Sequence, residues 1–173
     1  MKIKERKTVF NGFFRVENVT LEHKGNTLER DLVIPKNGVA ALVFDTVKKE
    51  YILIEQYRLP AEKPLIEIVA GLVDKEHEKP EETIVREIEE ETGYEVDKLE
   101  PIRCFYTTPG SYAEKIWLYY AEVSHKSGEG GGVDSEHEDI KTVTYTAEKL
   151  FEADFEDAKT LIAVLWEKSK ACC

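Results

Sequence analysis

Residues 38–46 read GVAALVFDT and residues 50–58 read EYILIEQYR, two strongly β-forming runs separated by a Lys48-Lys49 turn. A chain that carries this pair has to build a sheet around it. The flanking sequence supplies more strands. Residues 12–22 and 27–34 are β-rich and joined by His23-Lys24-Gly25-Asn26, which predicts a hairpin. Pro35-Lys36-Asn37-Gly38 is the next break, with Asn-Gly as its strongest turn dipeptide. Further extended runs are expected at 65–71 (LIEIVAG), 99–107, 115–123 and 141–146, and GEGGG at 128–132 reads as a flexible loop.

Two principal helices interrupt this pattern. Pro80 suits a first helical turn, and Glu81 and Glu82 complement the positive end of a helix. Ile84, Val85, Ile88 and Thr92 keep helical spacing, and Gly93 stands where a C-terminal cap belongs. An amphipathic helix is expected over 156–169, with Leu161, Ile162, Val164, Leu165 and Trp166. No repeat and no linker divides the 173 residues, so the reading is one strand-rich α+β chain.

Charge narrows the function. Acids outnumber bases 35 to 24, for a net charge of -11, the wrong sign for a general nucleic-acid backbone binder. The apolar runs are too short to span a membrane. MKIKERKTVF has basic residues but no apolar stretch behind them, as a secretory signal would need. Cys104, Cys172 and Cys173 make a poor disulfide framework, so a cytoplasmic setting is expected. Nothing points to catalysis by Cys172 or Cys173, which read as free thiols or tail residues. Gln56 is the only glutamine and there is one methionine against abundant Glu and Lys, a bias seen in heat-adapted proteins.

The segment 86–94 is Arg-Glu-Ile-Glu-Glu-Glu-Thr-Gly-Tyr. Helical spacing projects Glu87, Glu90 and Glu91 together and turns Ile84 and Ile88 to the core. Three carboxylates on one face repel unless something positive sits among them, and Arg86 alone cannot neutralise them. Hard divalent cations take oxygen ligands of this kind. From the residues alone, a cation cluster and a solvated acidic face both stand.

The surroundings decide between them. Gly71, Glu78, Arg86, Glu87, Ile88, Glu90, Glu91, Gly93 and Tyr94 resemble the Nudix box, G-x5-E-x7-R-E-U-x-E-E-x-G-U, where U is a large apolar residue. It departs once, by an extra loop residue between Gly71 and Glu78; Tyr94 is a tolerated variation. The resemblance implies an α+β Nudix fold: an α/β/α sandwich with a mixed β-sheet, a box loop–helix–loop and an N-terminal antiparallel strand extension. It implies a strand extension over 1–37 that serves as a dimerisation arm, a hydrolase domain over 38–173, and a homodimer. It also implies Mg²⁺, with Mn²⁺ as a substitute, held by Glu87, Glu90, Glu91 and the backbone carbonyl of Ala70. Arg86 joins the catalytic set by orienting the glutamates, while Gly71, Glu78 and Gly93 support the box.

Other segments resemble the ADP-ribose pyrophosphatase and nucleoside-diphosphate-sugar hydrolase group. Pro109 lies sixteen residues beyond Gly93, where that group carries a proline, although an ordinary Pro-Gly turn is the plain alternative. Gln56-Tyr57-Arg58 matches a Q-[YF]-R element and makes Arg58 a candidate for phosphate or ribose; pairing with a nearby acid is the other reading. Glu136-His137-Glu138-Asp139-Ile140 resembles a late acidic loop, with Glu136 as candidate general base and Glu138 as a further ligand or alternative base. Glu114 is a candidate substrate contact, and Phe13, Phe14 and Tyr112 could stack on a base. The implied reaction is hydrolysis of the diphosphate of ADP-ribose or a related nucleotide sugar. GDP-mannose or UDP-glucose is the alternative substrate, and a non-catalytic nucleotide-sugar sensor is the rival from another class.

Overall fold

The structure, a computed structural model, describes residues 1–75, 77–132 and 140–170. Among these residues, ten strands and three α-helices follow in the order β1 (Lys2–Asn11), β2 (Arg15–His23), β3 (Asn26–Ile34), β4 (Gly38–Asp45), β5 (Glu50–Arg58), β6 (Lys63–Glu67), β7 (Val69–Leu72), α1 (Pro80–Thr92), β8 (Tyr94–Tyr106), β9 (Lys115–Lys126), β10 (Lys141–Tyr145), α2 (Ala147–Glu152) and α3 (Ala158–Lys170). The chain divides into two units, 1–38 with 104–116, and 39–103 with 117–173.

In the first unit, β1, β2 and β3 form a three-stranded antiparallel sheet. The expected hairpin is present, and His23 pairs with Asn26 across the two-residue loop Lys24-Gly25. Both loop residues have positive φ, the twist that two-residue hairpin turns need. β1 lies within the strand extension implied over 1–37, although no run of residues marks it out. Its residues are all exposed and half of them are charged, so no apolar face announced it. Segment 104–116 joins this unit through Val33, whose N–H donates to Ser111 O at 2.8 Å and whose carbonyl accepts from Ala113 N–H at 2.9 Å.

The second unit is built on a seven-stranded sheet. Successive residues of a strand face opposite sides. Val39, Ala41 and Val43 of β4 pack with Ile52 and Ile54 of β5, Tyr119, Ala121 and Val123 of β9, and Ile84 and Ile88 of α1. The alternate residues Ala40, Leu42, Leu53 and Leu118 are buried as well. On that side Tyr51 OH donates to Glu167 of α3 at 2.8 Å, and Tyr120 packs on Trp166. Helices therefore cover both faces, which is why β4 and β5 read as continuous apolar runs rather than alternating ones. The outcome is the expected α/β/α sandwich. A third helix, α2, joins the two expected ones; it is only six residues long, too short to show a helical period.

Residues 65–71, expected as one extended run, form two strands. β5 pairs with β10 along one edge. Its other edge is shared, with β4 beside Glu50–Ile52 and β6 beside Ile54–Arg58. The chain then changes partner at Ile68, so that β7 pairs with β4. That change of partner brings Glu67 and the Ala70-Gly71 pair to the site described below.

The 128–132 segment is a loop, as expected, and it is bonded to the C-terminal end of α1, with Gly131 N–H on Glu91 O at 2.8 Å and Gly132 N–H on Glu90 O at 3.1 Å.

Candidate active site

The helix α1 starts as its sequence dictates. Pro80 occupies the first turn, and Glu82 reaches back to accept from Lys79 N–H at 3.1 Å. Gly93, with φ of 75°, ends it. Tyr94 then anchors the exit, its ring in the core and its hydroxyl 2.5 Å from Lys48 Nζ.

One side of this helix carries a charge cluster centred on Arg86, whose side chain is 22% exposed. Its Nη1 donates to Glu90 Oε2 at 2.6 Å, its Nη2 lies 2.8 Å from Glu87 Oε1, and its Nε donates to Glu78 Oε1 at 3.3 Å. A planar fork can hold three carboxylates in set directions, which a lysine cannot. Partial burial works against the charge on Arg86. The Glu78 hydrogen bond and the charges of Glu87 and Glu90 outweigh it, and the guanidinium is held above its ordinary pKa. Glu78 also accepts from Thr83 Oγ1 at 2.9 Å, and Arg86 is the main reason its carboxyl stays below the usual range.

Glu87 and Glu90 are half-buried, whereas Glu91 is 3% exposed. The three carboxylates share a side of the helix, but that side turns inward along it rather than lying open to solvent. Gly71 shows how closely α1 and β7 approach. A Cβ there would lie 2.1 Å from Cδ and 2.3 Å from Oε1 of Glu87. The carboxylate of Glu87 thus rests on the Gly71 backbone, beside Ala70. Among the described residues, no group of three His, Cys, Asp or Glu side chains is arranged to hold a metal ion as it stands. Arg86 holds the glutamates instead.

A second cluster was not legible from motifs. Glu67, 2% exposed, accepts from Arg58 Nε at 2.7 Å and Nη2 at 2.8 Å, a bidentate pair. Lys159 Nζ of α3 lies 2.5 Å from the same carboxylate and 2.9 Å from Asp157. Asp157 in turn accepts from Thr160 Oγ1, and Thr160 Oγ1 accepts from Ile68 N–H at 2.9 Å. The first turn of α3 is thereby hooked to the strand junction just before Ala70 and Gly71. Burial raises the Glu67 carboxyl, but Arg58 and Lys159 more than reverse it and its pKa falls below the ordinary value. Arg58 is held above its usual value, first by Glu67 and further by the charges of Glu91 and Asp157. Arg58 therefore sits in the field of the box carboxylate Glu91. The pairing of Arg58 with an acid, left open by the sequence, is what the structure shows. The available signal was Glu67 itself, a lone acid in the apolar run LIEIVAG, because a buried carboxylate needs a cationic partner.

The remaining candidates fall elsewhere. Glu136 and Glu138 lie outside the described residues, as do Cys172 and Cys173. Pro109 and Glu114 belong to the first unit. There Thr107 Oγ1 donates to Glu114 Oε2 at 2.9 Å, and Tyr112 N–H closes a turn onto Thr108 O. Phe13 is 79% exposed, Phe14 is partly covered by its contact with Phe10, and Tyr112 is half-buried.

A NUDIX domain model matches residues 35–164, which include both clusters. The chain belongs to the Nudix family. Among its relatives is the methanol dehydrogenase activator of Bacillus methanolicus, 37% identical over 87% of this chain and 81% of that protein. The ADP-ribose pyrophosphatase of Bacillus subtilis (strain 168) is 37% identical over 90% and 84%. The GDP-mannose pyrophosphatase of Cronobacter sakazakii (strain ATCC BAA-894) is 34% identical over 86% and 79%. A solved structure described as an ADP compounds hydrolase superposes with a TM-score of 0.80 at 26% identity, covering 99% of this chain and 96% of that one. With pyrophosphatases among such relatives, this Nudix chain is a hydrolase.

Proposed function

We propose that this Nudix chain hydrolyses the diphosphate of ADP-ribose or a related nucleoside diphosphate sugar with Mg²⁺, giving two monophosphates. For ADP-ribose these are AMP and ribose 5-phosphate. The observation that carries the reading is the Arg86 cluster, a guanidinium that holds Glu87 and Glu90 in fixed directions beside the buried Glu91.

The donors suit a hard divalent cation. Glu87, Glu90, Glu91 and the Ala70 carbonyl offer oxygen only, which fits Mg²⁺ and admits Mn²⁺. The close approach at Gly71, which a Cβ would fill, sets the Glu87 carboxylate against the strand that carries Ala70. A bound cation there would neutralise phosphate charge and acidify a water. The chain's own residues do the rest. Arg86 keeps the glutamates from turning away, and Glu136 or Glu138 takes the proton from the attacking water. Arg58, its Nε and Nη2 fixed by Glu67, presents the rest of its fork to a phosphate. Pro109 and Glu114 are candidate substrate contacts on the sequence resemblance.

GDP-mannose is the second candidate substrate, favoured by the Cronobacter relative. The activator relative raises a purely regulatory role. The intact set Arg86, Glu87, Glu90 and Glu91 argues for catalysis, because a module that only senses a nucleotide sugar has no use for all of them. Residues 1–37 are assigned to a homodimer interface, on the exposed Ile3, Val9, Phe10 and Phe13. The exposed free Cys104 suits a reducing cytoplasm, and no helix among the described residues is long and apolar enough to cross a membrane.

The test is a panel of ADP-ribose, GDP-mannose, UDP-glucose, FAD, NADH and diadenosine polyphosphates with Mg²⁺, read by phosphatase-coupled phosphate release. Cleavage of ADP-ribose or a nucleotide sugar, lost in Glu90→Gln and Glu91→Gln, is expected. Full activity in both variants would remove the glutamates from the metal site, and no cleavage of any member would remove the reading.

A further inference from the structure

The last carbonyls of an α-helix have no partner inside it. At the end of α1 those partners come largely from one segment. Gly93 N–H meets Glu89 O at 2.9 Å. Gly132 and Gly131 then meet the carbonyls of Glu90 and Glu91, and Ser127 and Gly128 N–H meet Gly93 O at 2.8 and 3.0 Å. Two residues of the carboxylate cluster thus have their main chain tied down by consecutive glycine amides.

Only glycine makes this strap. Gly130, Gly131 and Gly132 have φ of 73°, 102° and 84°, a run that L side chains do not follow. At Gly130 there is also no room. A Cβ would lie 2.6 Å from Thr92 C, 2.7 Å from Glu91 O and 2.9 Å from Thr92 O, all backbone atoms that cannot swing aside. Gly128, in the same segment, differs. Its added Cβ would meet only Gly93 Cα, at 3.7 Å, an ordinary contact.

We infer that Gly130–Gly132 is a positioning element of the active site: it fixes the last turn of α1 and so sets where the Glu90 and Glu91 carboxylates stand. Helix ends fray when nothing holds them. A loosened last turn would move Glu91 off its buried place and draw Glu90 away from Arg86. Misplacement by about 1 Å is enough to cost on the order of 10²-fold in rate. The inference rests on the hydrolase reading and gives the glycine run a role other than flexibility.

The experiment compares wild type, Gly128→Ala and Gly130→Ala in the full chain. Three quantities are read: kcat and KM on the panel member that wild type cleaves, Mn²⁺ affinity by electron paramagnetic resonance without substrate, and the thermal transition. Gly128→Ala should match wild type. Gly130→Ala should lose roughly 10²-fold in kcat, with KM little changed and Mn²⁺ binding weakened about tenfold as two carboxylates shift. Unchanged kcat and Mn²⁺ affinity in Gly130→Ala overturn the inference, as does an equal loss in Gly128→Ala. If Gly130→Ala loses its cooperative transition, Gly131→Ala replaces it. Its Cβ meets Ile140 O at an ordinary 3.7 Å, so only the positive φ acts, and the same weakening to a smaller degree is expected; wild-type behaviour there overturns the inference. A wild type that binds Mn²⁺ but cleaves nothing refutes the hydrolysis reading, and Mn²⁺ affinity then decides on the strap alone.

Discussion

Replacing Glu67 by glutamine tests the second cluster most directly. The side chain keeps its size, so the packing of β6 is preserved and only charge is lost. Glu67 is 2% exposed and compensates two cations, Arg58 and Lys159. Removing one partner of a buried ion pair costs about 3–5 kcal/mol when the other is left uncompensated. Here relief is available. The Arg58 side chain is 36% exposed and can turn toward water, and Lys159 retains Asp157 at 2.9 Å. The expected loss is therefore smaller, about 2–3 kcal/mol at neutral pH. For a chain of this size that lowers the thermal midpoint by roughly 4–12 °C. The pH dependence has a definite sign. The folded pKa of Glu67 is lowered, so its contribution is complete above the unfolded carboxylate value and lost as pH falls through the folded one. Urea unfolding of both proteins at a series of pH values measures this. The gap between wild type and Glu67→Gln should be largest at neutral pH and shrink on acidification below pH about 4. A gap under about 1 kcal/mol at neutral pH, the value of a surface pair, or a gap that grows in acid, would refute the reasoning.

Three further outcomes follow from the same geometry. Gly71→Ala places a methyl carbon against the Glu87 carboxylate, so Mn²⁺ affinity should fall about tenfold while urea unfolding stays cooperative; unchanged affinity would mean that Glu87 is no ligand. Ile88→Ala empties a fully buried place between α1 and the sheet and should cost about 2–5 kcal/mol by urea unfolding. Tyr51→Phe removes the bond to Glu167, a loss of about 1 kcal/mol. Burial first, and then Glu167, raises the Tyr51 pKa, so that contribution holds below pH about 10 and fades above it; the variant should lose less stability than wild type across an alkaline titration.

The parts of this molecule that were legible in advance are those whose signal is local. β4, β5, the hairpin of β2 and β3, and α1 follow from adjacent residues: β-forming runs, a Lys-Gly turn, a proline and a glycine at the two helix ends. The Arg86 cluster is also local, because residues three and four apart on a helix must meet. The break at Ile68 was not legible. It arises because β5 offers one edge to two partners, a fact of sheet topology that no window of sequence carries. Glu67, Lys159 and Asp157 meet only after α3 has docked, ninety-odd residues from β6. The bonds of the strap were not legible for a related reason. Five residues of mostly glycine look the same whether they move or are bonded down, and only the carbonyls waiting at the end of α1 tell the two apart.

The charge cluster bears on how an acidic chain could take an anionic substrate. Glu78, Glu87 and Glu90 converge with Glu91 nearby, and one guanidinium sits among them. Arg86 engages a single oxygen of each of the two half-buried glutamates, Oε1 of Glu87 and Oε2 of Glu90. A carboxylate has two oxygens and about four acceptor directions, so it can serve a guanidinium and a cation together. A divalent ion would thus enter without expelling Arg86, needing only that the carboxylates rotate within its grip. The negative excess around the helix would favour that entry, and on the proposed function a bound ion would reverse the local sign for a diphosphate. Arg86 limits how far the glutamate side chains can spread, and the glycine strap limits how far the backbone can. The two constraints meet at Glu90, which Arg86 holds by its side chain and Gly132 by its main chain. A lysine at 86 would keep the charge but lose the fork, and it would leave the strap alone to hold a cluster of like charges.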